Sequence, residues 1–155
     1  MDWTNEVKFG ITATLAALTA IWGWFGWLVI LWMLCMALDY LTGTALACKR
    51  GTWSSAMARA GIYSKLGGII VVLVTALADL GVWLILHVME EFPLPYRALL
   101  CPIVLSWYVL TEMGSILENA GQLGAPLPGF LVRWIAVLRK QVDKAGDAAV
   151  NRRDM

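Results

Sequence analysis

Four carboxylic acids lie within or at the ends of long apolar stretches of this sequence, where an ionisable side chain is least expected. They are Asp39, Asp79, Glu112 and Glu118. An acid at the centre of a bilayer costs about 2.5–3.5 kcal/mol on insertion scales, so such side chains usually face a protein interior or a water-filled cavity. The chemistry open to them is ion pairing, hydrogen bonding or contact with water inside a membrane.

Polar residues also follow one helical face of the third apolar stretch. This face is formed by Tyr108, Glu112, Ser115 and Asn119, at the spacing i, i+4, i+7 and i+11, and is flanked by Thr111 and Glu118. The second stretch repeats the pattern with Thr75 and Asp79, and the first with Asp39 and Thr42. Two interpretations stay open. These faces line or gate an aqueous path within or between subunits, or the acids are protonated or hydrogen-bonded pairs that hold a bundle together.

Enzyme chemistry finds little support. The single histidine, His87, lies at the end of an apolar stretch, no Ser-His-Asp set can be placed, and the GxSxG, HExxH and phosphate-loop motifs are absent. Cys35, Cys48 and Cys101 lack the CxxC spacing of zinc or redox sites. A net charge of +1 gives no field that attracts nucleic acid. We expect no catalytic residue, no cofactor, no metal site and no nucleic-acid partner.

The elements that position these residues follow from composition. Of 155 residues, 60% are hydrophobic and 15% charged, against roughly 45–50% and about 25% in a soluble domain. About 20 helical residues cross a bilayer. The sequence therefore predicts an all-α membrane protein with three transmembrane helices, at about 25–47, 66–87 and 99–120. Asp79 is nearest a span centre, so we expect it to be the acid most sensitive to substitution.

A short N-terminal helix is predicted at about 9–22. Two glycines and three tryptophans in the segment Trp22–Trp27 separate it from the first span, because glycine loosens a helix and tryptophan favours the headgroup region. We favour an interfacial position for this helix, and a fourth span is the alternative. The N-terminus lies outside with three spans and inside with four.

Lysine and arginine set the expected orientation. The connector 49–65 carries four bases and no acid, whereas the turn 89–96 carries two acids and no base. The connector and the C-terminus are therefore expected in the cytoplasm and the turn outside. The bases assigned to the membrane surface are Lys49, Arg50, Arg59, Lys65, Arg133, Arg139, Lys140 and Lys144.

Residues 124–155 form a separate cytoplasmic region after a transmembrane domain at 1–123. Apolar residues recur there at helical spacing, with bases between them, which predicts an amphipathic interfacial helix on the inner membrane surface. A helix packed on a partner is the alternative. The small, charged tail from Gly146 onward is expected to be disordered. The apolar positions are Phe130, Leu131, Trp134, Ile135, Leu138 and Val142.

Short motifs link these segments to a known group. Asp39-Tyr40-Leu41-Thr42-Gly43 is similar to the motif Asp-Tyr-x-Thr-Gly of that group. Ser54-Ser55 and Gly61-x-x-x-Lys65 follow in the connector. The most specific part is Glu112-x-x-Ser115-Ile-x-Glu118-Asn119-Ala, followed by Gly124-x-Pro126-x-Pro128. Over about residues 28–140 the chain resembles the phage holins of the toxin-secretion and phage-lysis type, which include holin-like proteins encoded beside clostridial toxins.

The resemblance implies a non-enzymatic protein that assembles with copies of itself in the bacterial cytoplasmic membrane. Such proteins accumulate in the bilayer and then open lesions through which an endolysin, or in some cases a toxin, leaves the cytoplasm. The expected partners are further copies of the chain, the lipid bilayer and, indirectly, the endolysin or toxin. A small oligomeric ion channel or transporter subunit is the alternative function. A membrane scaffold that recruits a partner through its basic tail is a third hypothesis.

Overall fold

Four helices account for nearly all of the structure. The structure is a computed structural model that describes residues 3–88 and 100–151. Helix α1 spans Trp3–Lys49, α2 spans Ser55–Val88, α3 spans Leu100–Leu123 and α4 spans Gly129–Asn151. No strand occurs within these described ranges, so the predicted all-α fold class is confirmed. The predicted acidic turn at 89–96 lies outside the described residues.

Three helical segments are long and apolar enough to cross a membrane, as the sequence predicted. They are Phe25–Lys49, Ser55–Val88 and Leu100–Leu123. Helix α2 begins well before the predicted span at 66, because the Ser54 hydroxyl accepts a hydrogen bond from the Met57 amide at 3.1 Å and so caps the first turn. Most of the basic connector is therefore helical, and the exposed Arg59 lies on α2.

The helical geometry of α1 breaks at Gly23. This residue has φ 54° and ψ −143°, a backbone conformation that glycine adopts without a steric penalty. The break lies inside the segment Trp22–Trp27, where the sequence predicted one. It separates an N-terminal helical segment from Phe25–Lys49, the segment that carries Asp39.

Helix α3 is the centre of the bundle and, among the described residues, packs on all three other helices. It runs parallel to α1, since Trp32 stacks on Tyr108 with ring centroids 5.6 Å apart and Lys49 reaches Leu123 at the far end. It runs antiparallel to α2. The core between these three helices consists of Trp32, Cys35, Met36, Val72, Cys101, Leu105 and Val109.

The face of α2 that points away from α3 is apolar and open. Ile70 is 61% exposed, Leu77 is 64% exposed and Ile85 is 59% exposed. A soluble monomer rarely exposes a continuous apolar patch of this kind, whereas a membrane span places such a face against lipid. The structure therefore agrees with a membrane protein in which α2 presents this face to lipid.

A glycine and two prolines reverse the chain between α3 and α4. Gly124 has φ 109°, and the Ala125 amide donates to the Ala120 carbonyl at 3.0 Å, which is the hydrogen bond of a Schellman cap. Pro126 cannot continue the helix. A Cβ at Gly121 would lie 2.9 Å from Leu127 Cδ1, so glycine allows the turn to fold back closely on α3.

Helix α4 then runs antiparallel along α3. Ile135, which is 5% exposed, lies beside Gly114, and Gly146 lies beside Ile103. The amphipathic helix is present as predicted, and α3 covers part of its apolar face: Ile135 is buried, whereas Phe130 and Trp134 are exposed. The expectation of disorder from Gly146 onward is wrong up to Asn151, because that glycine packs closely on α3 and the helix continues past it.

Candidate functional site

One lysine pairs with two carboxylates at the middle of the bundle, and each of the three side chains comes from a different helix. Lys65 Nζ on α2 lies 2.5 Å from Asp39 Oδ2 on α1, and it also pairs with Glu112 Oε2 on α3. Asp39 is ten residues before the end of α1, Lys65 ten residues after the start of α2 and Glu112 eleven residues before the end of α3. We call these three residues the ion-paired centre.

The ion-paired centre is largely withdrawn from solvent. The side chains of Lys65, Asp39 and Glu112 are 21%, 15% and 9% exposed. Two carboxylates face one ammonium, so the centre carries a formal charge of −1. Buried charges need close partners to offset their lost hydration. The three helices therefore hold one another in register, because the ammonium on α2 pairs with a carboxylate on α1 and with another on α3.

Asn119 extends the ion-paired centre along α3. Its Nδ2 donates to Asp39 Oδ1 at 3.3 Å and to the Thr42 hydroxyl at 3.2 Å. The Thr42 hydroxyl in turn donates to the Leu38 carbonyl at 2.9 Å. Gly43 leaves room for this contact, since a Cβ there would lie 3.6 Å from Asn119 Nδ2. The two most specific motifs of the sequence thus meet across α1 and α3.

Replacing Asn119 with Ala is expected to lower the free energy of unfolding by about 1 kcal/mol. Hydrogen bonds between helices within membranes average about 0.6 kcal/mol and reach about 1.7 kcal/mol, and this change removes two of them. Reversible unfolding in detergent micelles measures the effect. In combination with Thr42→Val the two losses should be less than additive, and full additivity would contradict the shared contact.

Asp79 lies apart from the ion-paired centre and caps α3. Its Oδ1 accepts from the Leu100 amide at 3.2 Å and its Oδ2 from the Cys101 amide at 2.8 Å. The residue is 3% exposed. A carboxylate is favourable there because the first amides of a helix have no partner within the helix and its N-terminus carries a partial positive charge.

The opposite end of α3 is bound by bases of the first connector. Lys49 Nζ donates to the Leu123 carbonyl at 2.8 Å and to the Gln122 carbonyl at 3.4 Å. Arg50 donates to Gln122 Oε1 at 2.6 Å. A cation near the last carbonyls of a helix is favourable. Both ends of α3 are therefore held by charges from neighbouring helices.

Two clefts flank Lys65. A cleft of about 260 Å³ opens between α1 and α2, past Trp53 and Met57. A cleft of about 500 Å³ opens between α2 and α3, past Ser64 and Trp107. Asp39, Lys65 and Ser115 line both of them. Both clefts therefore border the ion pair between Asp39 and Lys65.

The polar face predicted on α3 points into the chain itself. Glu112 and Asn119 bind α1 and α2, and Tyr108 packs on Gly68, where a Cβ would lie 3.2 Å from Tyr108 Cε1. Ser115 lines both clefts, whereas Glu118 is exposed on another side of α3. Whether these residues act in assembly or pore lining stays a prediction.

Lys65 is the residue whose role the sequence analysis missed. It was assigned to the membrane surface with the other bases, whereas the structure pairs it with Asp39 and Glu112. Asp39 and Lys65 lie equally far from the loop that joins α1 to α2, but this is visible only once α2 is known to begin at Ser55 and not at the predicted position 66. Arg139, assigned to the same surface, lies 4.5 Å from the ring centroid of Trp107. Lys49 and Arg50 bind the end of α3, while Arg59, Arg133, Lys140 and Lys144 are exposed.

Metal-ligating groups do not gather anywhere in the described ranges, where no three His, Cys, Asp or Glu side chains could hold an ion together. His87 is exposed and lies against Trp83, with ring centroids 4.3 Å apart. Cys35 and Cys101 are buried in the core, and Cys48 is exposed. Among the described residues, the polar contacts between helices are therefore concentrated in the ion-paired centre and at the two ends of α3.

Comparison with known proteins finds one matching family and several similar bacterial proteins. A family model described as the bacteriophage holin family matches residues 16–140. A protein of Clostridium perfringens, named as an uncharacterized 14.9 kDa protein in the nagH 3' region, is 33% identical over 129 residues, covering 80% of this chain and 86% of that protein. An uncharacterized protein of Halalkalibacterium halodurans is 26% identical over 138 residues, covering 89% and 97%. No solved structure matches.

Proposed function

We propose that this chain, which belongs to the bacteriophage holin family, assembles with copies of itself in the bacterial cytoplasmic membrane and opens lesions there. An endolysin, or a toxin, would leave the cytoplasm through these lesions. In this proposal the protein is not an enzyme, and its work is a change of assembly in the bilayer. The observation that carries the proposal is the ion-paired centre between three helices that can each cross a membrane.

The ion-paired centre suits a protein that accumulates before it acts. While Lys65 pairs with Asp39 and Glu112, the charges are satisfied inside one chain and lipid meets mainly the apolar outer faces. Many copies can therefore be stored without a leak. When assembled copies admit water beside the ion-paired centre, the carboxylate charge that the single ammonium does not neutralise gains hydration. Opening thus becomes favourable once assembly brings water to this depth.

The orientation proposed for the stored chain has the basic end in the cytoplasm. Lys49 and Arg50 lie at the end of the bundle where α1 and α3 finish and where α2 and α4 begin. Lysine and arginine concentrate on the cytoplasmic side of membrane proteins. In the stored chain α4 and its bases lie on the inner membrane surface, with the C-terminus in the cytoplasm.

A small oligomeric ion channel or transporter subunit is the alternative function. The observation that favours it is the pair of clefts on either side of Lys65, both lined by Asp39 and Ser115. Regulated expression in bacteria with a potential-sensitive dye, combined with an assay for escape of a folded cytoplasmic enzyme, separates the two functions. Abrupt depolarisation with enzyme escape supports the lesion, and selective ion flux in viable cells supports the channel. Absence of both outcomes contradicts both functions.

Replacing Glu112 with Gln is expected to delay the onset of lysis. The change keeps the shape of the side chain and removes the surplus negative charge of the ion-paired centre, so opening gains less hydration. The onset of lysis is measured as the time after induction at which culture turbidity falls. The amounts of protein in the membrane are matched by quantitative blotting.

Glu118→Gln is the matched control, because the same chemical change falls six residues further along α3 on an exposed side chain. It should change the onset less than Glu112→Gln does. Equal onset for the wild type and Glu112→Gln at matched levels would remove the ion-paired centre from the mechanism.

A further inference from the structure

Helix α4 covers most of the length of α3. A Cβ at Gly114 would lie 3.8 Å from Ile135 Cγ2, and a Cβ at Gly146 would lie 3.8 Å from Ile103 Cγ2. Between these two contacts Arg139 lies over the ring of Trp107 at 4.5 Å. Since α3 is a candidate membrane span, the part of α4 from Ile135 to Gly146 lies beside the middle and the far half of that span.

The opposite face of α4 is charged and exposed. Its members are Arg133, Lys140, Asp143, Lys144 and Asp147. Charged side chains at bilayer depth are costly unless they meet protein or water. While α4 is docked on a spanning α3, this face therefore cannot lie against lipid and has to border water or protein.

Two polar residues at the middle of α3 are engaged within the chain while α4 is docked. Glu112 is paired with Lys65, and Asn119 is bonded to Asp39 and Thr42. The face of α2 that points away from α3 is apolar. Among the described helices beside α3, the outer face of α4 is thus the polar surface that reaches across the thickness of the bundle.

We infer that the outer face of docked α4 lines the aqueous lumen of the open assembly, which several copies of the chain enclose. This inference rests on the proposed function. Helix α4 leaves the inner membrane surface of the stored chain and docks on α3, with Arg139 on Trp107 as one anchor. On the exposed face three bases stand against two acids, so the lumen wall is weakly positive and favours anions.

The reversal potential of the purified full-length chain in a planar bilayer tests this inference. A potassium chloride gradient with a dilute side near 10 mM is suitable, because the Debye length is then about 30 Å and wall charges act across a wide lumen. The substitution Lys144→Glu should shift the reversal potential toward the value for cations. Lys144→Gln should give about half of that shift, since it changes the wall charge by one unit instead of two.

Arg59→Glu is the control for charge at the mouth of the lumen. Arg59 is an exposed base near the start of α2, so its reversal should shift the potential less than Lys144→Glu. If α4 stays on the membrane surface, both residues lie at the mouth and the shifts are equal. Equal shifts, or no shift for Lys144→Glu, would overturn the inference.

A disulfide between α3 and α4 tests the docked position directly. Ile103→Cys and Gly146→Cys are introduced into a chain in which Cys35, Cys48 and Cys101 are replaced by Ala, and cross-linking within one chain is verified by mass spectrometry. The oxidised chain should conduct as well as the reduced chain. Conductance that is lost on oxidation and restored by reductant would overturn the inference, and so would failure of the pair to cross-link. No conductance from the wild-type chain would instead count against the proposed function.

Discussion

Replacing Lys65 with Met is expected to lower the free energy of unfolding by about 3–5 kcal/mol, the range for breaking a buried ion pair by removing one partner. Methionine fills a similar length, so the loss reflects charge more than volume. Asp39 and Glu112 would then lie close together without the ammonium that pairs with both of them. Unfolding in detergent micelles measures the loss, and the amount of folded protein in the membrane should fall with it.

A charge-balanced variant separates electrostatics from packing. Asp39→Asn and Glu112→Gln, added to Lys65→Met, remove all three charges and leave amides that can bond to each other. This triple variant should recover most of the stability that Lys65→Met loses, because buried ion pairs are commonly replaced by neutral groups at little cost. If the triple variant is no more stable than Lys65→Met, the lysine stabilises the bundle through its packing and not through its charge.

Replacing Asp79 with Ala is expected to cost about 3 kcal/mol of unfolding free energy, with local fraying at the start of α3. Hydrogen bonds to charged groups contribute about 1.5–3 kcal/mol each, and Asp79 accepts two from α3 amides. Amide hydrogen exchange should therefore accelerate more at Leu100 and Cys101 than at Val109, in the middle of α3. Asp79→Asn keeps one acceptor oxygen and should lose less stability than Asp79→Ala.

Thr75→Val is the matched control for Asp79→Ala, one turn earlier on the same helix. The Thr75 hydroxyl donates to the Val72 carbonyl within α2 and also interacts with the Cys101 thiol on α3, but its loss leaves the Leu100 amide bound to Asp79. Its substitution should leave exchange at Leu100 unchanged. Equal acceleration in both variants would mean that α2 as a whole, and not the carboxylate of Asp79, holds the start of α3.

The sequence predicted the helices well because the length of an apolar stretch and the position of a helix-breaking glycine are local properties. Three apolar spans, a break between Trp22 and Trp27 and a fourth amphipathic helix can all be read from neighbouring residues. Which residue a charged side chain pairs with depends on its depth in the bundle and on the helices beside it. No local sequence pattern contains that information. Lys65 is therefore predicted as a surface base from the sequence, although its loss leaves two carboxylates without their shared partner. That Asp79 is the acid most sensitive to substitution stays a prediction.

The position of α4 could not be derived from its pattern for a related reason. An apolar stripe at 131, 135, 138 and 142 fits a membrane surface and a helix partner equally well. What decides in the structure is the packing of α4 on α3, where Ile135 lies beside Gly114 and Gly146 beside Ile103. Glycines on one helix become informative only when the helix opposite them is known.

The distribution of charges also sets an order for biogenesis. When α1 and α2 have been synthesised, Asp39 and Lys65 already form a neutral pair, so a helical hairpin of these two spans can leave the translocon with that cost offset. The amides that Asp79 binds in α3 arrive with the next segment, as does Glu112. Insertion of α3 thus supplies the partners of both Asp79 and Lys65 on α2. A nascent chain that stalls before Leu100 lacks these partners.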